Sequence, residues 1–443
     1  MAMTENLAVF LGNAHVGTLL RVKNGARFQY DETIASLYAG LPLLSTALPV
    51  QETPYDAATT ENWFSGLLPE STRLDEARRF FGMEGTSYLD VLSEIGWECA
   101  GAVSIVPESC TSKRNKDAGE LPITTKELAE RLAALPSHPF DTSATMRVSL
   151  GGFQEKLCVV ASFATSKDGY IMPTNVAIPL NGAPTTHILK PEPERFPGMV
   201  QAEAWAMCTA SMATPTATVA LLDTESLTEE AAVAPETLIV ERYDRKRGEA
   251  PGSVARIHQE DCCQALGIPA ERKYAAESSP KKSDPSFSRI AQLLVRYSAD
   301  VPRQLETLLR QMVVNVALGN TDAHAKNYAL LHEGGLVSLA PLYDVVPTLE
   351  MTPGVLAMGM RIDGRIRIDR IGREQLVNEA IAWGLERSAV EKILDDSLEA
   401  LREGARDASE KYPGAGEKHQ KPFLERLTRL LGQHAPMSAA QQP

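Results

Sequence analysis

The chain has 443 residues, 44% of them hydrophobic and 23% charged, with a formal net charge of −13. That length carries two or three domains and a sizeable core, and the acidity argues against broad, non-specific nucleic-acid binding by this chain alone. No apolar run reaches the roughly 18 residues of a membrane span, no basic residue precedes the first apolar stretch, and the six cysteines lack CxxC spacing; the expectation is a cytoplasmic protein with reduced thiols, no secretory signal and no structural zinc.

The opening "LAVFLGNAHVGTLLRV" reads as strand, Gly-Asn turn, strand. "ENWFSGLLPESTRLDEARRFFG" reads as two helices broken at Pro69, and "SYLDVLSEIGWECAGAVSIVPE" as a helix followed by a strand from Ala102 to Val106. The polar stretch from Ser112 to Glu120 reads as a linker or exposed loop. A helix follows from Thr124, where Thr124 and Glu127 match a capping box and Pro136 marks the end. The basic clusters "SKRNK" (Ser112 to Lys116) and "RYDRKRG" (Arg242 to Gly248) read as solvated surface charge.

A second region opens near Thr145. "MRVSLGGFQEKLCVVAS" is strand, Gly151-Gly152 turn, strand. It is a plain hairpin or a backbone able to approach an anion such as phosphate. "TTHILKPE" is a short strand ending in Lys190, and "PGMVQAEAWAMCTASMA" a helix with Glu203 early in it. A strand lysine followed by a helix glutamate can form the ion pair that holds a lysine against nucleotide phosphates; a surface lysine is the plainer reading. "ATVALL" and "ETLIVERYDR" are further strands. The second turns charged at Glu241, where backbone groups of Glu241 and Tyr243 can meet an adenine edge.

From about Pro285 the pattern is mainly helical. Leu305, Leu308, Leu309, Met312, Val313 and Val316 mark one buried helix face, and Gly319 and Asn320 are suitable stops. "GNTDAHAKNYALLHEGGLVSLAPLYD" then gives a loop with Asp322, a strand from Tyr328 to Leu331, an "HEGG" turn and a strand from Leu336 to Leu339. A hairpin returns the chain beside its own start, so Asn327 and Asp344 are expected as neighbours offering oxygens to a hard cation such as Mg²⁺. Asp322 precedes Asn327 by the Asp-to-Asn spacing of a protein-kinase catalytic loop, and Asp344 stands where such kinases place a second metal ligand. His324 reads as a hydrogen-bonded structural group or a ligand, and Lys326 as a surface group or one that steadies a transferring phosphate.

The segments "WFSGLLPES", "LSEIGWECAGAVSIVPE", "RVSLGGFQEK", "PTTHILK", "IVERYDR", "QEDCCQALG", "GNTDAHAKNYAL" and "PLYDVVP" resemble the HipA toxin kinases of bacterial toxin–antitoxin pairs, from about residue 7 to about residue 400. The resemblance implies an α+β, atypical two-lobed protein-kinase-like fold with an additional N-terminal β-rich subdomain and a mainly helical C-terminal lobe. The implied division is an N-terminal subdomain over 1–110, a linker and helix over 111–144, a kinase N-lobe core over 145–245, a helical C-lobe over 246–435 and a disordered tail over 436–443.

It also implies an ATP- and Mg²⁺-dependent serine/threonine protein kinase, with Asp322 as catalytic base and Asn327 and Asp344 as magnesium ligands. Ser149, Leu150, Gly151, Gly152, Phe153, Lys190, Glu241, Tyr243, His324 and Lys326 form the implied nucleotide site, with Glu203 as the lysine's ion-pair partner and Ser149 as an autophosphorylation site. Family targets are aminoacyl-tRNA synthetases, whose modification stalls translation. The usual partner is a small helix-turn-helix, HipB-like antitoxin that supplies most DNA contacts; no membrane partner is implied. "LGGFQEK" departs from the Ala-Gly-Ala of many members at Phe153. A degenerate kinase serving as corepressor and a small-molecule kinase are the alternatives.

Overall fold

The computed structural model describes residues 5–432 apart from 24, 71, 84–85, 115–117, 136–153, 168, 228–233, 249–252 and 279–280. Ser149, Leu150, Gly151, Gly152, Phe153 and the tail 436–443 therefore lie outside the described residues. The chain divides into two compact units: unit one is Met1–Pro193, Ala220–Arg272 and Ala329–Ala340, and unit two is Glu194–Val219, Lys273–Tyr328 and Pro341–Pro443.

Unit one begins with an antiparallel sheet of β1 (Leu7–Leu11), β2 (Ala14–Val22), β3 (Gly25–Tyr30) and β4 (Val103–Pro107) in the order β3-β2-β1-β4. The expected first hairpin forms, and the strand expected from Ala102 starts one residue later. Leu7, Val9, Leu19 and Phe28 face a core shared with Trp63, Phe64, Leu92 and Ile105, all nearly inaccessible to water. Burial of such side chains contributes about 1.5–3 kcal/mol each. The helix Ala57–Phe64 gives way to a 3-10 turn at Ser65–Leu67, and the next helix, Thr72–Phe80, starts beyond Pro69.

The second sheet contains β5 (Gly119–Pro122), β6 (Leu157–Lys167), β7 (Tyr170–Leu180), β8 (His187–Pro191), β9 (Val219–Leu222) and β10 (Thr237–Glu241), in the order β5-β7-β6-β8-β10-β9. A parallel pairing of β9 with β7 closes the sheet back on itself. The strand β5 begins within the last two residues, Gly119 and Glu120, of the stretch that the sequence reads as a loop. It is an edge strand, where Pro122 and Gly119 are tolerated because one side needs no ladder bonds. The expected capping box is present: Glu127 N–H donates to Thr124 Oγ1 at 3.2 Å and Thr124 N–H to Glu127 Oε2 at 2.7 Å, opening the helix Thr125–Ala134.

A two-stranded ribbon of β11 (Arg245–Arg247) and β12 (Val254–Arg256) precedes a three-stranded sheet of β13 (His258–Asp261), β14 (Ala329–Glu333) and β15 (Leu336–Leu339). The hairpin expected after Asn327 is therefore real, but β14 continues through His332 and Glu333. Only Gly334 and Gly335 form its turn, at φ +60° and +81°, the positive values a two-residue turn of this kind requires.

The "QEDCCQALG" segment is a structural hub. Glu260 accepts from Ser45 Oγ, from Thr46 N–H at 2.8 Å and from Trp63 Nε1 at 3.0 Å, and pairs with His332 Nε2 at 3.0 Å. Asp261 caps the short helix Cys262–Ala265, accepting from the N–H groups of Cys263 and Gln264. Burial lowers the neighbouring His258 to about 3, so it stays neutral at ordinary pH.

The two basic clusters are only partly solvated: among the described residues Lys113, Lys246 and Arg247 are exposed, but other arginines turn inward. Arg242, Asp244 and the Arg245 side chain are buried, and Arg242, Arg245 and Arg256 converge on the fully buried Glu98 at 3.1, 2.7 and 2.6 Å. Arg114 of the other cluster is also buried, 4.4 Å over the Phe10 ring. The compensating carboxylate of Glu98 lies more than 140 residues away in sequence, which local charge reading does not see.

Unit two is mainly helical: Met199–Ser211, Phe287–Tyr297, Val301–Leu318, Arg373–Ile381, Arg387–Lys411 and Pro413–Leu430. The last two pack on Val301–Leu318. Gly404 lets Arg387–Lys411 approach Met199–Ser211 closely, since a Cβ there would lie 2.5 Å from the Thr209 carbonyl oxygen. A small ribbon, β16 (Ala357–Ile362) and β17 (Arg365–Arg367), completes the unit and was not signalled by the sequence.

Candidate active site

The helix Val301–Leu318 buries the whole predicted face, and Gly319 ends it in the left-handed region at φ +72°. Arg426 seals that end: its Nε donates to the Ala317 carbonyl at 2.9 Å, and its guanidinium pairs with Glu350. A cation at a helix C-terminus satisfies exposed carbonyls and complements the helix dipole. The loop that follows thus starts from a fixed point.

Every residue from 311 to 330 is buried except Asp322. Apolar burial explains most of the run; the loop's polar groups are held by named partners. Asn315 Nδ2 donates to the Gln311 carbonyl and to the Tyr328 hydroxyl, each at 3.0 Å, and Asn320 Nδ2 donates to Asn315 Oδ1 at 2.8 Å. Thr321 N–H donates to Thr348 Oγ1 at 2.8 Å. His324 N–H returns to the Asp322 carbonyl at 2.7 Å, and Asn327 N–H to the His324 carbonyl at 2.9 Å. Such a network fixes Asp322 on the surface while its flanks stay in the core.

Two groups that the sequence did not single out, and one that it read only as a helix stop, shape this loop. Tyr274 donates its hydroxyl to Asp322 Oδ1 at 2.6 Å and sets its ring edge-on to His324 at 5.0 Å. Gly359 of β16 lies against the loop backbone, where a Cβ would stand 2.5 Å from the His324 nitrogen and 2.6 Å from the Ala323 carbonyl carbon. Asn320 also reaches the Asp344 carbonyl, at 3.5 Å. None carries a recognisable motif; the signal in each case is proximity in the folded chain.

Asn327 and Asp344 are held on adjoining stretches. Asn327 Nδ2 donates to the Asp322 carbonyl at 3.4 Å, and the Tyr343 hydroxyl donates to the Lys326 carbonyl at 2.5 Å. Asp344 sits at φ +59°, a conformation uncommon for a residue with a Cβ and one that tends to occur at functional sites. An amide and a carboxylate supply the hard oxygens that Mg²⁺ takes, with phosphate and water completing its shell, so the donor set fits that ion. His324 and Lys326 are buried in the same loop. Glu203 is buried on Met199–Ser211 in this unit.

Lys190, Glu241 and Tyr243 belong to unit one. Lys190 is buried on β8, opposite Leu238 of β10. Glu241 ends β10 exposed, and the Tyr243 hydroxyl donates to Gln259 Oε1. Burial, first of all, raises the Tyr243 phenol well above its ordinary value.

A family model of the HipA N-terminal domain matches residues 7–106, and one of the HipA-like C-terminal domain matches residues 148–405. The chain belongs to the HipA family. A Sinorhizobium fredii protein, Y4mE, whose name places it among kinases, is 33% identical over 87% of this chain and 88% of its own length. The serine/threonine-protein kinase toxin HipA of Shewanella oneidensis is 26% identical over 87% of this chain and 85% of its own. A solved structure of the Shewanella oneidensis HipA, HipB and operator DNA complex matches with a TM-score of 0.79 at 22% identity, covering 96% of this chain and 98% of that one. This HipA-family chain therefore has the mixed helix-and-strand, kinase-like fold of that protein. Among the described residues no helix is long and apolar enough to cross a membrane.

Proposed function

We propose that this chain is a serine/threonine protein kinase that transfers the γ-phosphoryl group of ATP to a protein. The observation that carries the reading is Asp322: the one exposed residue of a buried run, five residues before Asn327 and fixed at the end of a capped helix. Phosphoryl transfer needs positioning and charge neutralisation more than covalent help. Asp322 orients the acceptor hydroxyl and takes its proton. Asn327 and Asp344 hold Mg²⁺, which when bound offsets phosphate charge. Lys190 adds a cation toward the phosphates, Glu203 steadies that lysine, and His324 and Lys326 belong to the proposed nucleotide site. Glu241 and Tyr243 meet the adenine edge; Ser149 to Phe153, outside the described residues, complete the proposed nucleotide site, with Ser149 the proposed site of autophosphorylation.

The proposed targets, in line with the family resemblance, are aminoacyl-tRNA synthetases, with arrest of translation as the outcome. The proposed partner is a HipB-like helix-turn-helix antitoxin. The chain's net charge of −13 fits DNA contact made chiefly through that partner. The test is incubation with γ-labelled Mg·ATP and a bacterial lysate. A labelled protein band that disappears with Asp322→Asn supports the reading; a labelled metabolite or no label at all overturns it. Expression without the partner is expected to arrest growth, and co-expression with a neighbouring helix-turn-helix protein to relieve the arrest.

A further inference from the structure

We infer that Tyr274 is a positioning residue for phosphoryl transfer, its hydroxyl holding Oδ1 of Asp322 so that the carboxylate's other oxygen is presented to the acceptor hydroxyl. The inference rests on Asp322 acting as the general base. An exposed aspartate has several rotamers, and a base must meet its proton within hydrogen-bond reach in one of them. The 2.6 Å bond from Tyr274 to a carboxylate is a charge-assisted contact, of the short and strong kind.

The backbone around Tyr274 shows that the contact is built in. The Lys273 carbonyl accepts from Ala325 N–H of the catalytic loop at 3.2 Å, and Ala275 N–H donates to the Gly359 carbonyl at 2.8 Å. Arg361 Nη2 holds the carbonyls of Ala276 at 2.6 Å and Glu277 at 2.8 Å. Both flanks are thus tied down, one to the catalytic loop and one to β16. The ring itself rests edge-on against His324. A lid that swings away to admit substrate needs a free hinge on at least one side, and this segment is pinned on both. Tyr274 is nevertheless 46% exposed. A large, pinned aromatic with half its surface in water, its hydroxyl on the base, stands where an acceptor side chain approaches. It stays in place and shares the carboxylate with the acceptor.

The experiment uses the full chain as wild type, Tyr274→Phe, Tyr274→Ala, Asp322→Asn and the Tyr274→Phe/Asp322→Asn double variant. The readout is label transferred from γ-labelled Mg·ATP to lysate proteins, with Mg·ATP affinity by calorimetry and thermal midpoint as controls. Tyr274→Phe keeps the ring on His324 and removes only the hydroxyl. It is expected to slow transfer about tenfold, the effect of losing one hydrogen bond to a charged group, with nucleotide affinity and midpoint unchanged. The double variant is expected to be no slower than Asp322→Asn, because residues acting as a unit do not multiply their effects. Tyr274→Phe as fast as wild type, with only Tyr274→Ala slow, would assign the role to the ring and overturn the inference; so would losses that multiply. Equal transfer by wild type and Asp322→Asn removes the base assignment itself. A crystal structure of Tyr274→Phe then decides what the hydroxyl does. Asp322 spread over more than one rotamer supports the hold, and a single unchanged rotamer refutes it.

Discussion

Two clusters of charged and polar groups in this molecule use the same residue types to opposite ends. Around Glu98, three arginines and Asp244 are buried together, and each carboxylate oxygen of Glu98 meets at least one guanidinium. Burial pushes the Glu98 carboxyl up, but Arg245, Arg256 and Arg242 outweigh it and hold the group down at about 2. The loop around Asp322 keeps its polar flanks buried but brings Asp322 to the surface, and the chain places Asp344 in a strained backbone conformation. A buried, mutually satisfied cluster stabilises one arrangement; an exposed carboxylate on a fixed base is placed to act on something else. The proposed function rests on which charge this loop leaves outward, and not on charge density.

That contrast breaks most readily at Glu98. Glu98→Ala leaves Arg245 and Arg256 buried without their shared carboxylate, and the expected loss of stability is about 3–5 kcal/mol, measured by urea unfolding. A loss under about 1 kcal/mol would mean that water reaches the cluster. Gly359→Ala acts on the other region. Its new methyl group would press on the backbone of Ala323 and His324, and a displacement on the order of 1 Å there is expected to slow phosphoryl transfer by about 100-fold. Transfer at the wild-type rate would show that the loop tolerates movement.

Acid sharpens the comparison. The Glu98 carboxyl lies below its unfolded value of about 4.3, so its contribution to stability is complete above that value and is lost as pH falls toward about 2. Urea unfolding between pH 5 and pH 2.5 is expected to show this loss in the wild type and less of it in Glu98→Gln. The smallest effect is expected for Thr348→Val, which removes the bond to Thr321 N–H. A cost of about 1 kcal/mol in stability and a several-fold fall in transfer are expected. An unchanged rate would show that this bond does not position Asp322.

Much of this contrast was open to inspection in the sequence, and the rest was not, for physical reasons. The order of Asp322, Asn327, the hairpin and Asp344 is local, and a buried helix face with a glycine stop fixes where the loop begins. Local patterns also gave the Thr124–Glu127 cap and the first hairpin. The sequence pattern makes the hairpin turn two residues too long because His332 and Glu333, polar in sequence, continue the ladder; His332 is paired with Glu260. The charged run from Arg242 was read as surface because its countercharge, Glu98, is distant in sequence. Tyr274 and Gly359 carry no sequence signal for the same reason, since each acts through a neighbour supplied by folding, and Asn320 reads only as a helix stop. The edge strand β5 has a composition that propensity assigns to loops.

The central claim is that Asp322 serves chemistry and not stability. Its most direct test measures thermal midpoint and γ-labelled Mg·ATP transfer on one preparation of Asp322→Asn beside the wild type. The account predicts a midpoint within about 2 °C and transfer lowered by about 10²–10⁴-fold, the range for losing a general base. Transfer within a few-fold of wild type, or a midpoint that falls as far as that of Glu98→Ala, would contradict it.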